Sequence, residues 1–262
     1  MTDQVRKNIY GFERKHDASV ITCRDYGSNM MGLDSPTSDI DARILFVQRP
    51  EQYATVAGHT KKCSFVRGDI DYSAWNIDHF ATLLADSDPV AIEFLNSPLT
   101  YFDHPSLVAS IRTLRTTVNK YFDRTKMYEY YIELARSNYD RYINTDDGYD
   151  TDISIKRYLL VIRNIMNAQY IKSTDAVPSL HFGAFARRYA HRYMGPFVDE
   201  PERLIHLIER RRTDDQRYNV IENYFAQYIE HQLYVDWQHP NAFRVPEDKI
   251  DWFVKRALHK AI

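Results

Sequence analysis

Residues 26–47 read Tyr26-Gly27-Ser28-Asn29-Met30-Met31-Gly32-Leu33-Asp34-Ser35-Pro36-Thr37-Ser38-Asp39-Ile40-Asp41-Ala42-Arg43-Ile44-Leu45-Phe46-Val47. The first part is turn-rich and carries no helix or strand past Gly32 and Pro36. From Ile40 the chain becomes nearly continuous in apolar residues once Asp41 and Arg43 are passed, as a central strand does. Alternate side chains of a strand share a face, so Asp39 and Asp41 project together while Ile40 points away. Two adjacent carboxylates repel unless a cation sits between them. Mg²⁺ needs only one or two protein carboxylates beside phosphates and waters, so the pair suits a nucleotide-bound metal. Asp69 or Asp71, which alternate on a later strand, would supply a third carboxylate. Gly27-Ser28 with Gly32 forms a short loop after a strand, where a missing Cβ lets backbone N–H groups approach phosphate and the serine hydroxyl adds a donor. The loop is not a Walker A motif, because no Gly-Lys-Ser/Thr occurs in the chain.

Outward from this block, residues 2–16 read as a polar helix opened by Thr2, and Ala18–Cys23 as an alternating strand. Further β signals lie at 62–67 and 69–75. From Asn76 the pattern turns helical: Ile77, Phe80, Leu83 and Leu84 share a face, and Val90, Ile92, Phe94 and Leu95 follow Pro89. Beyond Pro98 only Leu99–Phe102 reads as a strand. Helices are expected over 105–122, 124–143, 153–172, 181–194, 200–212, 214–236 and 247–261. An acidic, glycine-containing loop, Asn144–Asp150, separates the second and third. The expected architecture is α/β: a small mixed sheet forming a catalytic domain over residues 1–103, then an all-helical domain over 104–262.

Composition sets limits on function. The 262 residues carry 36 acidic and 34 basic side chains, a net charge of −2, and 44% are hydrophobic, which excludes a disordered chain. The longest strongly apolar runs are about the length of Ile44–Val47, far below the ~20 residues a membrane span needs. The N-terminus lacks the apolar core of a secretory leader, so a cytoplasmic protein is expected. Cys23 and Cys63 alone exclude a disulfide framework and a four-cysteine zinc site. The histidines are scattered without helical pairing, which disfavours a zinc hydrolase, and no Gly-x-Ser-x-Gly elbow surrounds Ser28.

Charge is uneven along the chain. Residues 1–100 hold 10 basic and 14 acidic side chains, whereas 151–212 hold 11 and 6, so part of the second half could face a polyanion. On the helix expected at 153–172, Ile155, Leu159, Ile162 and Met166 form one stripe, while Lys156, Arg163 and Asn167 lie together on another side. Lys156 and Arg163 could reach one phosphate chain or simply face solvent. Arg187-Arg188 and Arg210-Arg211-Arg212 are candidate nucleic-acid contacts or solvated helix ends. Tyr128, Tyr139 and Tyr142 share helical spacing with Ile132 and Ala135, which favours packing over base stacking.

Gly27-Ser28-(three residues)-Gly32-Leu33 followed by Ser35-Pro36-Thr37-Ser38-Asp39-Ile40-Asp41 resembles the signature of the DNA polymerase beta-like nucleotidyltransferase superfamily. Within it the chain is similar to the predicted nucleotidyltransferases of bacteria and phages, including RNA-ligase-associated members. The resemblance continues through Asp71–Ile77, Asn96-Ser97-Pro98, Lys156–Leu159 and Arg163, covering most of residues 20–172. Family members often carry Arg after the Gly-Ser, where this chain has Asn29. The resemblance implies that Asp39, Asp41 and Asp71 ligate Mg²⁺, with Mn²⁺ an alternative ion. It implies that Gly27 and Ser28 grip the triphosphate and that Lys156 and Arg163 assist. The activity it implies is transfer of a nucleoside monophosphate from an NTP to a hydroxyl, with an RNA or DNA end first and a protein acceptor second. The alternative is a catalytically silent nucleotide-binding regulator. Neither the base, the oligomeric state nor a membrane partner follows from the residues.

Overall fold

The computed structural model describes residues 2–56, 58–143, 153–213, 217–218 and 225–260. In chain order the first elements are α1 (Thr2–His16), β1 (Ala18–Asp25), the single turn α2 (Ser28–Met31), β2 (Ile40–Gln48), β3 (Lys62–Arg67), β4 (Ile70–Asn76), α3 (Ile77–Ala85), α4 (Pro89–Asn96) and β5 (Thr100–Asp103). There follow α5 (Val108–Tyr121), α6 (Arg124–Tyr142), β6 (Ile153–Ser154), α7 (Ile155–Thr174), α8 (Phe182–Met194), α9 (Arg203–Thr213), β7 (Arg217–Tyr218), α10 (Ala226–Leu233) and α11 (Glu247–Lys260). Among the described residues no helix is long and apolar enough to cross a membrane.

The chain divides into two compact units. The first comprises residues 1–30, 39–123 and 243–262; the second comprises 31–38 and 124–242. The position near residue 103 expected to separate two domains therefore falls inside the first unit. There α5 packs on α4 and on the returning α11.

The first unit is built on a five-stranded mixed sheet in the order β3-β4-β2-β1-β5. Only β2 and β4 run parallel; the other three pairings are antiparallel. β3 and β4 form a hairpin through Gly68-Asp69, with Arg67 opposite Ile70. Gly68 takes φ +62°, the conformation a two-residue hairpin turn demands of its first residue. α1 places Val5, Ile9 and Phe12 on one face by helical spacing and buries them against Ala42, Ile44 and Phe46 of β2 and Ile70, Tyr72 and Ala74 of β4. Each such side chain contributes about 1.5–3 kcal/mol by leaving water. The odd-numbered residues of β2 and β4 point to the other face. α4 starts where Asp88 accepts N–H groups of Val90 and Ala91 at 2.9 and 3.0 Å, with Pro89 as its first residue.

The second unit is helical, with α7 at its centre, packed against α6, α8, α9 and α10. Here the structure departs from the amphipathic helix expected. α7 is buried around nearly its whole circumference, including Arg163, Asn164 and Asn167 as well as the apolar stripe. Tyr128, Tyr131, Tyr139 and Tyr158 are buried as packing residues. Leu33, from the short segment 31–38, joins this core. The pairing of Ile153–Ser154 with Arg217–Tyr218 was not expected, since two residues produce no readable alternation. The acidic loop at 144–150 lies outside the described residues.

Candidate active site

Two aspartates stand opposite each other at one rung of the sheet. Parallel pairing of β2 with β4 sets Asp41 beside Asp71, and both point away from the α1 face. Neighbouring strands lie about 4.8 Å apart. Like charges on neighbouring strands repel unless a cation lies between them. Asp39 stands one residue before β2, and its carbonyl accepts the Asn29 side-chain amide at 3.4 Å. Asn29 thus ties the glycine loop to the residue that precedes β2. Asp69 sits in the hairpin turn, its carbonyl accepting the N–H of Ile40 at 3.4 Å, whereas Asp71 is on the strand.

A guanidinium accompanies the carboxylates. Arg43, two residues beyond Asp41 on the same face, donates from Nε to Ser73 Oγ at 2.9 Å. Its Cζ lies 4.2 Å from the centre of the Tyr26 ring and 4.0 Å from that of Trp75. Cation–π contacts of this kind contribute about 0.5–2 kcal/mol each and fix the guanidinium plane.

Gly27 is dictated by Asp41. A Cβ built on Gly27 would overlap the Asp41 carboxylate and lie 2.7 Å from its Cβ and Cγ. The glycine of the loop therefore makes room for a carboxylate, a tighter requirement than the backbone access anticipated from its sequence. The Tyr26 N–H donates to the Asp41 carbonyl at 3.1 Å, fixing the loop on β2. Ser28 is buried, at 4% exposure, as the first residue of α2.

The loop is held from beneath by residues that sequence reading passed over. Asp25, fully buried at the end of β1, accepts the N–H groups of Gly27 and Met30 on Oδ1 at 3.0 and 2.9 Å. Its Oδ2 accepts the Tyr101 hydroxyl at 2.6 Å, and its carbonyl accepts the Ser97 hydroxyl at 2.6 Å. Burial, reinforced by the Asp25 carboxylate, raises the Tyr101 phenol well above the ordinary tyrosine value. Beside it, buried Arg24 pairs with Asp103 at 3.2 Å and donates to Thr22 Oγ1 and the Ser97 carbonyl. An aspartate two residues before a glycine is the pattern of an Asx turn, the one local signal that marked Asp25. Arg43 and Tyr101 carried no such signal; strand register brings them to the site.

Lys156 and Arg163 belong to the second unit, on α7. Arg163 is 4% exposed, which removes the reading of a solvated side chain. Its Nη1 donates to Asn164 Oδ1 at 3.3 Å. In segment 31–38 of that unit, Gly32 adopts φ +66° with the His181 ring where a Cβ would project. The Ser38 hydroxyl accepts the Ser35 N–H at 2.9 Å.

A divalent ion is compatible with the donor set at the rung of Asp41 and Asp71, which offers hard carboxylate oxygens. Among the described residues no group of three or more His, Cys, Asp or Glu is arranged to hold a metal. Two neighbouring carboxylates can nevertheless serve a hard divalent cation whose remaining ligands are waters and phosphate oxygens.

The profile of the RNA repair pathway DNA polymerase beta family (RlaP) matches residues 1–254. The Bacillus subtilis (strain 168) protein YcgL is 25% identical over 239 residues, covering 88% of this chain and 86% of its own length. A 38.9 kDa protein encoded in the nrdC-mobD intergenic region of Enterobacteria phage T4 is 27% identical over 125 residues, 44% of this chain and 37% of that one. A nucleotidyltransferase-like protein from Exiguobacterium sibiricum 255-15, solved by crystallography, covers 89% of this chain and 74% of its own at 10% identity. Its TM-score is 0.31, too low to bear on fold or function. A match over nearly the full length, on a chain whose glycine loop and aspartate strand interlock as described, places the protein in the RNA repair pathway DNA polymerase beta family.

Proposed function

We propose that the protein is a nucleotidyltransferase that moves a nucleoside monophosphate from an NTP to a hydroxyl, with release of pyrophosphate and with an RNA or DNA end as the favoured acceptor. The observation that carries this reading is the rung at which Asp41 and Asp71 stand side by side while the Asp41 carboxylate occupies the space left by Gly27. Loop and carboxylates are thereby one assembly. Asp39, Asp41 and Asp71 would hold a divalent ion, Mg²⁺ or Mn²⁺. Such an ion neutralises phosphate charge and polarises the phosphoryl oxygens. The chain's own part is positioning: Gly27 and Ser28 would lie against the phosphates, and Arg43 ties β2 to β4 through Ser73 beside the carboxylates. A phosphate role for Lys156 and Arg163 rests on the family resemblance.

Incubation with each α-labelled NTP, Mg²⁺ or Mn²⁺ and a mixed pool of RNA and DNA oligonucleotides tests the reading. Label should move to an oligonucleotide, and both Asp41→Asn and Asp71→Asn should lose transfer while remaining folded. Nucleotide binding without transfer under all these conditions would instead favour a regulator.

A further inference from the structure

The second unit carries a surface whose chemistry the carboxylate site does not use. α8 contains no Asp or Glu over its 13 residues, and its solvent-facing arc consists of Arg187, Arg188, His191 and Arg192 with Ala184. These cations differ in their surroundings. Arg187 is paired with Glu209 at 2.7 Å, and His191 lies 3.4 Å from Glu202. Arg211, on α9, is buried, and Arg212 is 3.8 Å from Asp34. Arg188 and Arg192 have no ion-pair partner among the described residues. Each lies instead against a tyrosine ring, Arg188 at 5.4 Å from the centre of Tyr189 and Arg192 at 5.6 Å from that of Tyr193.

Those tyrosines form a continuous aromatic line. Tyr189 packs on Phe185 at 5.0 Å and on Tyr170 of α7 at 5.2 Å, and it stacks with Tyr193 at 5.9 Å. Tyr193 is fixed in turn by a 2.8 Å hydrogen bond between its hydroxyl and that of Ser173. Tyr170 and Tyr189 remain partly exposed. Two arginines four residues apart are about 6 Å apart along a helix axis, close to the spacing of successive phosphates on one strand. A pair of partly exposed rings next to them, Tyr170 and Tyr189, is the companion feature single strands use, since unpaired bases present π-faces that a duplex hides.

We propose that the Arg188/Arg192 edge of α8, with Tyr189 and Tyr170, is a docking surface for single-stranded nucleic acid. That the strand bound there is the acceptor of nucleotidyl transfer rests on the function proposed above; the docking itself does not.

Anisotropy of a fluorescein-labelled single-stranded 20-mer RNA, titrated with the full chain over a range of salt, tests the surface. The Arg188→Ala/Arg192→Ala variant should bind at least tenfold more weakly, and its slope of log K against log salt should fall by about 1.4, the loss of two contacts on a single strand. Lys249→Ala/Lys255→Ala removes the same charge from exposed positions of α11 and should bind within twofold of the unaltered protein. Equal weakening in the two variants would reduce the effect to net charge and overturn the proposal, as would no weakening in the first. A 20-bp duplex bound as tightly through the same arginines would overturn the single-strand assignment. A protein that binds the strand through Arg188 and Arg192 but transfers no nucleotide would retire the proposed reaction and leave this surface standing.

Discussion

Gly27 and Asp41 occupy one volume between them, and that mutual exclusion is measurable. Gly27→Val should push the Asp41 side chain aside, abolish transfer and destabilise the first unit by about 1–3 kcal/mol, as overpacking does. Because the overlap includes the Asp41 Cβ, Asp41→Gly should relieve most of that loss. Urea unfolding of both single variants and the double should show coupling well above additivity; additive losses would mean that the two do not share space. Tyr101 gives a pH-dependent counterpart. Its phenol is raised in the folded state, so it keeps its proton longer there than in the unfolded chain. Its contribution is complete below the ordinary tyrosine value of about 10 and is lost as pH climbs beyond it. Tyr101→Phe should lower stability at neutral pH by about 1–3 kcal/mol. It should also flatten the fall in melting temperature above pH 10. The aspartates of the strand were legible in the sequence because alternation and motif spacing are local. Tyr101 was not, since its partner Asp25 lies 76 positions away and only strand pairing joins them.

Helix α7 shows where periodicity misleads. An apolar stripe at 155, 159, 162 and 166 reads as an amphipathic surface helix, yet a helix at the centre of a bundle can also bury its polar side. Asn167 is the extreme case: it has no exposure, and neither its Oδ1 nor its Nδ2 has a hydrogen-bond partner among the described residues. Asn167→Leu, of similar shape, should therefore raise stability by about 1–3 kcal/mol in thermal or urea unfolding. Unchanged or lower stability would indicate a buried partner that satisfies the amide. Lys156, only partly buried on the first turn, supplies a contrast: Lys156→Ala should shift the melting temperature by no more than about a degree or two. The strands of the sheet were better read than this helix. β2, β3 and β4 were expected within a residue or two, because β2 carries a nearly continuous apolar run, β3 and β4 carry local β signals and Gly68 punctuates the hairpin.

The division of the chain was the least legible feature, since no composition shift or linker announces that residues 243–262 return to the first unit. α11 buries Ile250, Phe253 and Ala257 among α3, α5 and β2. Deleting residues 243–262 should leave the first unit unable to fold cooperatively while the second keeps its helical circular dichroism; a truncated protein with an unchanged two-step melt would contradict this. The same interleaving has a consequence for biosynthesis. On the ribosome the sheet strands emerge before α11, which is not translated until residues 124–242 have been made, a delay of roughly 6–24 s at ordinary elongation rates. During that interval the later-made helical bundle can close while the earlier-made sheet waits with an apolar face uncovered. The nascent chain should accordingly draw chaperones most strongly while residues 124–242 are being made, and release them only as α11 leaves the exit tunnel.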